Sequence, residues 1–268
     1  MICIRSKIID SYVDKIILEV NTINTAIYIF EINKSLDSNQ FNDLLKVISI
    51  EKREKCRKFM FKEDALRTMY GELIIRHILV GKFLFRNQDI EFFENLEGKP
   101  YLKDIPIYFN ISHAGNFIVC AFSEQEIGID IEEIKEGDLE IAERFFCQCE
   151  YEDLMMQRSL ERIDYFYSLW TLKESYVKWL GKGLTIPLDS FCFFVKGEDI
   201  SCVDYYRNRT PFFKQYPIEG YKISVCATLC DFPERIEEIR IDDVLEFGAK
   251  FSSYSKRKLG VCEISYPT

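Results

Sequence analysis

The stretch Tyr108–Glu132, YFNISHAGNFIVCAFSEQEIGIDIE, decides how this chain is built. It predicts strands over Tyr108–Ile111 and Phe117–Phe122 around a polar turn, Ser112-His113-Ala114-Gly115-Asn116, and a third strand over Ile127–Ile131. Side chains alternate along a strand, so Ile127, Ile129 and Ile131 share one face while Asp130 and Glu132 share the other. Two like charges held that close are costly unless a cation lies between them. A hard divalent ion suits such a pair; a solvent-facing edge strand with two harmless acids has the same spacing.

Outward from this stretch the pattern alternates between helix and strand. Leu66, Met69, Leu73, Ile74, His77 and Val80 recur at helical spacing and predict a helix from about Asp64 to Phe85. ENLEGKP (94–100) is a turn signal. A helix-rich stretch runs from about Asp138 to Leu180. Its last helix, from about Ile163, buries Phe166, Leu169, Trp170, Val177 and Leu180, and Gly181 and Gly183 end it. Strand patterns return at 190–195 and 221–229. The fragments IVCAF (118–122) and SVCAT (224–228) are faintly alike, which points to two similar α/β halves with no proline-rich linker between them. The first 24 residues and residues 248–268 read as peripheral, with SSYSKRK (252–258) a loose, basic end.

Composition narrows the function classes. The chain has 268 residues, 47% of them hydrophobic and 15% aromatic, and a net charge of −9. A chain of this size buries enough surface to need no disulfide. An acidic balance argues against a general nucleic-acid binder, which wants a basic field. No apolar run approaches a membrane span. Asp10, Asp14 and Glu19 interrupt what a secretory leader would keep apolar. The ten cysteines are scattered without a C-x-x-C, and with two histidines a Cys/His zinc site is not expected; a reducing, cytoplasmic setting follows.

Four further features carry chemistry, each with an ordinary alternative. Glu174 and Lys178 lie one turn apart on the last helix, fit either for a metal-bound phosphate or for a surface ion pair. His113 sits in the polar turn beside Ser112, where open backbone amides can hold a phosphate or simply close a turn. EKREKCRKFMFK (51–62) gathers six Lys or Arg in an acidic protein. Lys52 and Lys55, with Arg67 in the following helix, suit a compact anion, or form a solvated helix face. His77, on an apolar face, reads as a packed histidine, so no Ser-His-acid triad is supported. Together these features point at one ligand with several phosphates and a divalent ion.

EKREKCRKF (51–59), KEDALRT (62–68), GKP (98–100), FNISHAG (109–115), IGIDIE (127–132), RFF (144–146), LWTLKESYVKWLGKGL (169–184) and PLDSF (187–191) occur in one order and spacing. In this the chain resembles the Sfp-type 4′-phosphopantetheinyl transferases, which activate surfactin-synthetase-like assembly lines. The resemblance spans roughly Ala26 to Phe247. It departs at Ala114, where a serine is familiar, and at Phe117, where Trp is common.

The resemblance implies an α/β fold of the α+β type: two similar α/β subdomains related by pseudo-two-fold symmetry, here 25–126 and 127–247. These would be flanked by an N-terminal extension (1–24) and a C-terminal tail (248–268), with coenzyme A bound between the halves. It implies that Lys52 and Lys55 hold the 3′-phosphate end with help from Arg67, that Lys99 lies against the adenosine, and that Ser112 and His113 contact phosphates. Asp130, Glu132 and Glu174 would ligate Mg²⁺, with Mn²⁺ the other choice, and Lys178 would neutralise the pyrophosphate. The reaction implied is attack by a serine of an apo peptidyl or acyl carrier protein on the β-phosphate of coenzyme A, releasing 3′,5′-ADP. Glu174 is the first choice of general base and Glu150 the second. The segment Lys135–Glu150, with Leu139, Ile141, Phe145 and Phe146, would dock the carrier, and at least one of its two phenylalanines would be core. A monomer is expected, with neither nucleic acid nor membrane as partner. The same acids and lysines would equally serve a metal-dependent phosphohydrolase acting on coenzyme A or a nucleotide, and a non-catalytic binding module is the third possibility.

Overall fold

The computed structural model describes residues 24–136, 139–204 and 210–258. The first half runs β1 (Ala26–Glu31), α1 (Ser38–Leu45), α2 (Ile50–Lys58), α3 (Lys62–Gly81), β2 (Phe92–Glu94), β3 (Pro100–Leu102), β4 (Tyr108–Ala114) and β5 (Phe117–Ser123). The second runs β6 (Ile127–Glu133), α4 (Glu140–Phe145), α5 (Gln148–Met156), α6 (Ser159–Leu180), β7 (Phe191–Lys196), β8 (Asp199–Asp204), β9 (Phe212–Ile218) and β10 (Tyr221–Ala227). A closing pair follows, β11 (Glu237–Ile239) and α7 (Ile241–Lys258). The larger sheets have the orders β11-β1-β5-β4 and β6-β10-β9. Each half thus lays one long helix, α3 or α6, against a largely antiparallel sheet, and the α/β expectation with two similar units holds.

Three apolar clusters follow from this layout. On α3, Met69, Tyr70, Leu73 and Ile74 are fully buried and pack with Phe30, Phe109 and Phe122 of the first sheet. On α6, Leu169, Leu172 and Tyr176 close over Phe191 and Phe193. Between the sheets, Ile127, Ile129 and Ile131 meet Ile27, Ile29 and Val119, so the isoleucine face of β6 glues the two halves together. Each such side chain contributes about 1.5–3 kcal/mol by leaving water. His77 packs edge-on against Phe247, 5.5 Å between centroids, and burial pushes its pKa down, as a packed histidine should behave.

Several boundaries move. The first long helix stops at Gly81, four residues short of the expected Phe85, because the chain turns through Leu84 at φ 60°. The polar turn shrinks: Ser112 and His113 belong to β4, paired across to Val119 and Ile118. The last long helix begins at Ser159 and ends, as expected, in a left-handed Gly181 at φ 64°, whose amide closes back on Val177 and Lys178. The larger correction concerns the second unit, read as 127–247. β11 pairs parallel to β1, Tyr28 opposite Glu237, and α7 packs on α1 and α3. The chain therefore returns to the first half after β10. Residues 252–258 continue α7 to Lys258 and are no loose end. Residues 1–23 and 259–268 lie outside the described residues.

Gly128 sets how close α6 comes to β6. A Cβ there would overlap the Ser175 carbonyl and the Trp179 amide, so only glycine lets the helix backbone rest on the strand. That approach places Glu174 and Lys178, on the exposed side of the helix, over the acidic face of β6.

Candidate active site

β6 delivers Asp130 to the junction of the halves, 3% exposed. Its Oδ1 accepts from Ser112 Oγ at 2.9 Å and from Lys178 Nζ at 2.6 Å, while Lys178 Nζ also donates to Ser112 Oγ at 2.8 Å. One residue from each of β4, β6 and α6 is thereby tied together. A second cross-half bond runs from the Ile129 amide to Asn110 Oδ1 at 2.8 Å, which explains the asparagine before Ile111 and went unread in the sequence. The other oxygen of Asp130, Oδ2, is buried with no partner.

Glu132 and Glu174 stand half-buried beside it. Burial first, then the charge of Asp130, push the Glu132 carboxyl up to about 7, against a hydrogen bond from Trp170 and the nearby Lys178. Burial and Asp130 also raise Glu174. Three carboxylates thus crowd one lysine and resist full ionisation together. Among the described residues, the only three potential metal donors whose atoms all lie within 4.8 Å of one another are cysteines elsewhere, so these carboxylate oxygens spread wider, with the Lys178 ammonium against Asp130. An all-oxygen set with one orphaned buried oxygen and a surplus of negative charge is nevertheless the donor chemistry that Mg²⁺ or Mn²⁺ takes.

Next to the acids a cleft of about 250 Å³ opens, lined by Lys52, Lys55, Arg67 and His113 and floored by Phe92 and Phe109. Ser49 caps α2 and is held from behind by the buried Glu72, whose Oε1 accepts the Ser49 amide at 2.6 Å and whose Oε2 accepts its hydroxyl at 2.7 Å. Arg76 pairs with Glu72 at 2.7 Å, so the basic helix is anchored to α3 with its lysines at the cleft. Lys52 reaches Glu94 at 3.2 Å, and Arg67 reaches Asp64 at 2.8 Å. His113 joins the two regions: it lines the cleft, and burial, then Arg67, then Lys178 lower its pKa. Neutral at pH 7, it brings one ring N–H and one acceptor.

Two expected roles meet fully engaged buried side chains, Lys99 and Glu150, and a third residue faces the acids. Ser112, expected to meet phosphate, faces Asp130 and Lys178, because strand alternation sends it opposite His113. Lys99, expected against an adenosine, is 7% exposed, paired with Glu126 at 2.6 Å and bonded to the carbonyls of Ile127 and Trp179. It is a buried clamp between the halves, not a cleft residue. Glu150, the second choice of base, is 1% exposed and locked to Lys173 at 2.7 Å. Its oxygens also accept the amides of Cys147 and Phe193, so it is spent on holding structure and buried away from a substrate. In the expected docking segment Phe145 is exposed, whereas Phe146 is core, stacked on Phe166.

Sequence reading also missed the polar layer that seats α6. Thr171 Oγ1 and Ser224 Oγ lie 2.7 Å apart, and Gln215 donates to Ser224 at 2.9 Å. Ser224 stands opposite Asp130 in the sheet. No local pattern announces such a network, since its members come from three elements.

Comparison with known proteins agrees with this geometry. Residues 126–226 match the 4′-phosphopantetheinyl transferase superfamily, and residues 35–125 match the N-terminal region of 4′-phosphopantetheinyl transferases. The chain is 41% identical to the 4′-phosphopantetheinyl transferase Sfp of Bacillus subtilis (strain 168), over 82% of this chain and 99% of that one. It is 38% identical to the 4′-phosphopantetheinyl transferase gsp of Aneurinibacillus migulanus, over 74% and 83%. To HetI of Nostoc sp., also a 4′-phosphopantetheinyl transferase, it is 31% identical over 60% and 71%.

Proposed function

Because the chain belongs to the 4′-phosphopantetheinyl transferases, we propose that it moves the phosphopantetheine arm of coenzyme A to a serine of apo peptidyl or acyl carrier proteins, in a Mg²⁺-dependent reaction that releases 3′,5′-ADP. The observation that supports this most is Asp130: a buried carboxylate at the junction of the halves, one oxygen unpartnered, beside a cleft with basic walls and an aromatic floor. Phe92 and Phe109 suit a base and ribose, while Lys52, Lys55 and Arg67 suit the 3′-phosphate. His113 and Lys178 lie where the cleft meets the acids and would hold the pyrophosphate.

Asp130, Glu132 and Glu174 would hold the divalent ion, which when bound offsets charge on the phosphoryl oxygens. The remaining chemistry belongs to the chain. The carrier serine is a weak nucleophile and needs a base; Glu174, half-buried and raised by Asp130, is our choice. Lys178 stabilises the charge that builds on the leaving 3′,5′-ADP. No covalent enzyme intermediate is required, consistent with a site that has no paired nucleophile and base. The exposed Phe145 would meet the carrier. The Sfp and gsp relatives favour carriers of nonribosomal peptide assembly, and we place the enzyme in the cytoplasm as a monomer. Among the described residues no helix is long and apolar enough to cross a membrane.

The direct test is intact mass spectrometry of an apo peptidyl carrier protein after incubation with this protein, coenzyme A and Mg²⁺. The carrier should gain one phosphopantetheine, and EDTA should abolish the gain. Coenzyme A consumed with no gain on any carrier would instead establish the phosphohydrolase. Lys52→Ala should weaken coenzyme A binding by about tenfold, the worth of one charged hydrogen bond after loss of its Glu94 partner is allowed for. Titration calorimetry showing unchanged affinity would remove the basic helix from the site.

A further inference from the structure

Away from the acids, the fold assembles sulfur. Cys147 is the N-cap of α5, Cys149 lies in its first turn, and Cys192 is on β7. The three sulfurs fall within 4.8 Å of one another, although 45 residues separate Cys147 from Cys192. In this structure Cys147 and Cys192 form a disulfide, and Cys149 Sγ lies 3.3 Å from Cys147 Sγ. In the sequence the thiols are scattered with no C-x-x-C; folding gathers these three.

We propose that reduction of this disulfide opens a three-thiolate site, Cys147–Cys149–Cys192, for one thiophilic divalent cation such as Zn²⁺. Thiolate ligands held by a zinc ion at about 2.3 Å stand about 3.8 Å apart, a spacing these sulfurs reach with side-chain rotation alone, the Cα atoms of Cys147 and Cys192 being 6.0 Å apart. Burial, then the charge of Glu150, raise the Cys149 thiol against the amides of Glu150 and Cys149 at the helix start, so the cation itself must draw the protons off. Lys173 Nζ lies over the rings of Phe146, Phe191 and Phe193 and pairs with Glu150, which accepts the Cys147 amide, so the cluster adjoins that buried pair. Cys149, half-exposed, is the way in. The Lys173–Glu150 pair is neutral overall, so a divalent ion on three thiolates leaves a single negative charge at the helix end, whereas three bare thiolates would leave three.

The steps balance. A phosphine or thiol reductant supplies two electrons and breaks the sulfur–sulfur bond, itself becoming phosphine oxide (its oxygen from water) or disulfide, and each sulfur takes a proton. Binding of M²⁺ then expels one proton from each of the three thiols.

Cobalt(II) is the probe, because sulfur ligation gives a charge-transfer band that oxygen ligation at the carboxylates does not. The full chain, reduced with a phosphine and freed of reductant, should take up one cobalt with that band. The band should be absent from the oxidised protein and lost in Cys149→Ser. Cys192→Ser, checked by circular dichroism for folding, should also lose it, so that two variants from different elements report. Absence of the band from the reduced wild type would overturn the proposal. So would its survival in Cys149→Ser, which would assign it to other thiols.

Discussion

Asp130→Asn should cost about 10³-fold in carrier modification while leaving the protein folded and no less heat-stable. Asparagine keeps the shape of the side chain, and its carbonyl oxygen can still accept from Ser112 and Lys178. What disappears is the charge that supports a divalent ion and the developing phosphoryl charge; loss of one preorganised electrostatic contact costs about 10²–10³-fold, and a central metal ligand stands at the upper end. Stability moves the other way. Asp130 raises both Glu132 and Glu174, so removing its charge relieves repulsion in the metal-free protein. Rates come from carrier mass shift and stability from a thermal melt. A variant that kept a tenth of wild-type rate, or that lost activity only by melting, would remove Asp130 from the proposed machinery. Glu174→Ala should match it in rate.

Glu150→Gln should destabilise the protein by about 3–5 kcal/mol, the usual cost of breaking a buried ion pair from one side. The loss falls on Lys173, which is fully buried and would be left charged in a pocket of aromatic rings, with only the carbonyls of Leu188 and Phe191 for company. At about 2–4 °C per kcal/mol for a chain of this size the melting temperature should drop by on the order of 10 °C. The double change Glu150→Leu with Lys173→Met should recover most of that, since a packed apolar pair needs no compensation. A Glu150→Gln protein with an unchanged melting temperature but no transferase activity would restore Glu150 as a base.

The sequence exposed what repeats at short range. Alternation in IGIDIE gave the two faces of β6, helical spacing gave α3 and α6, and Gly181 gave the helix end. Direction was harder. Ser112 and His113 are neighbours, and whether they share a turn or oppose each other on a strand depends on where the hairpin bends, which one glycine and one asparagine leave open over two or three positions. Lys99 and Glu150 illustrate a second limit. A lysine or glutamate beside a motif looks available, and only its buried partner, Glu126 or Lys173, shows that it is spent on structure. The cysteine cluster and the return of β11 to β1 had no local signal at all, because each joins residues far apart in sequence through packing.

That return has a consequence for how the protein is made. Thr25 bonds through its amide to Asp231, 206 residues away, and β1 has β5 on one side but waits for β11 on the other. A ribosome adds about 5–20 residues per second, so this early strand keeps one edge unpaired for on the order of ten seconds or more, until β11 has emerged. The first half can collapse during that time but cannot close. Completion waits on β11, and the nascent chain exposes a sticky strand edge while the residues between the two strands are added.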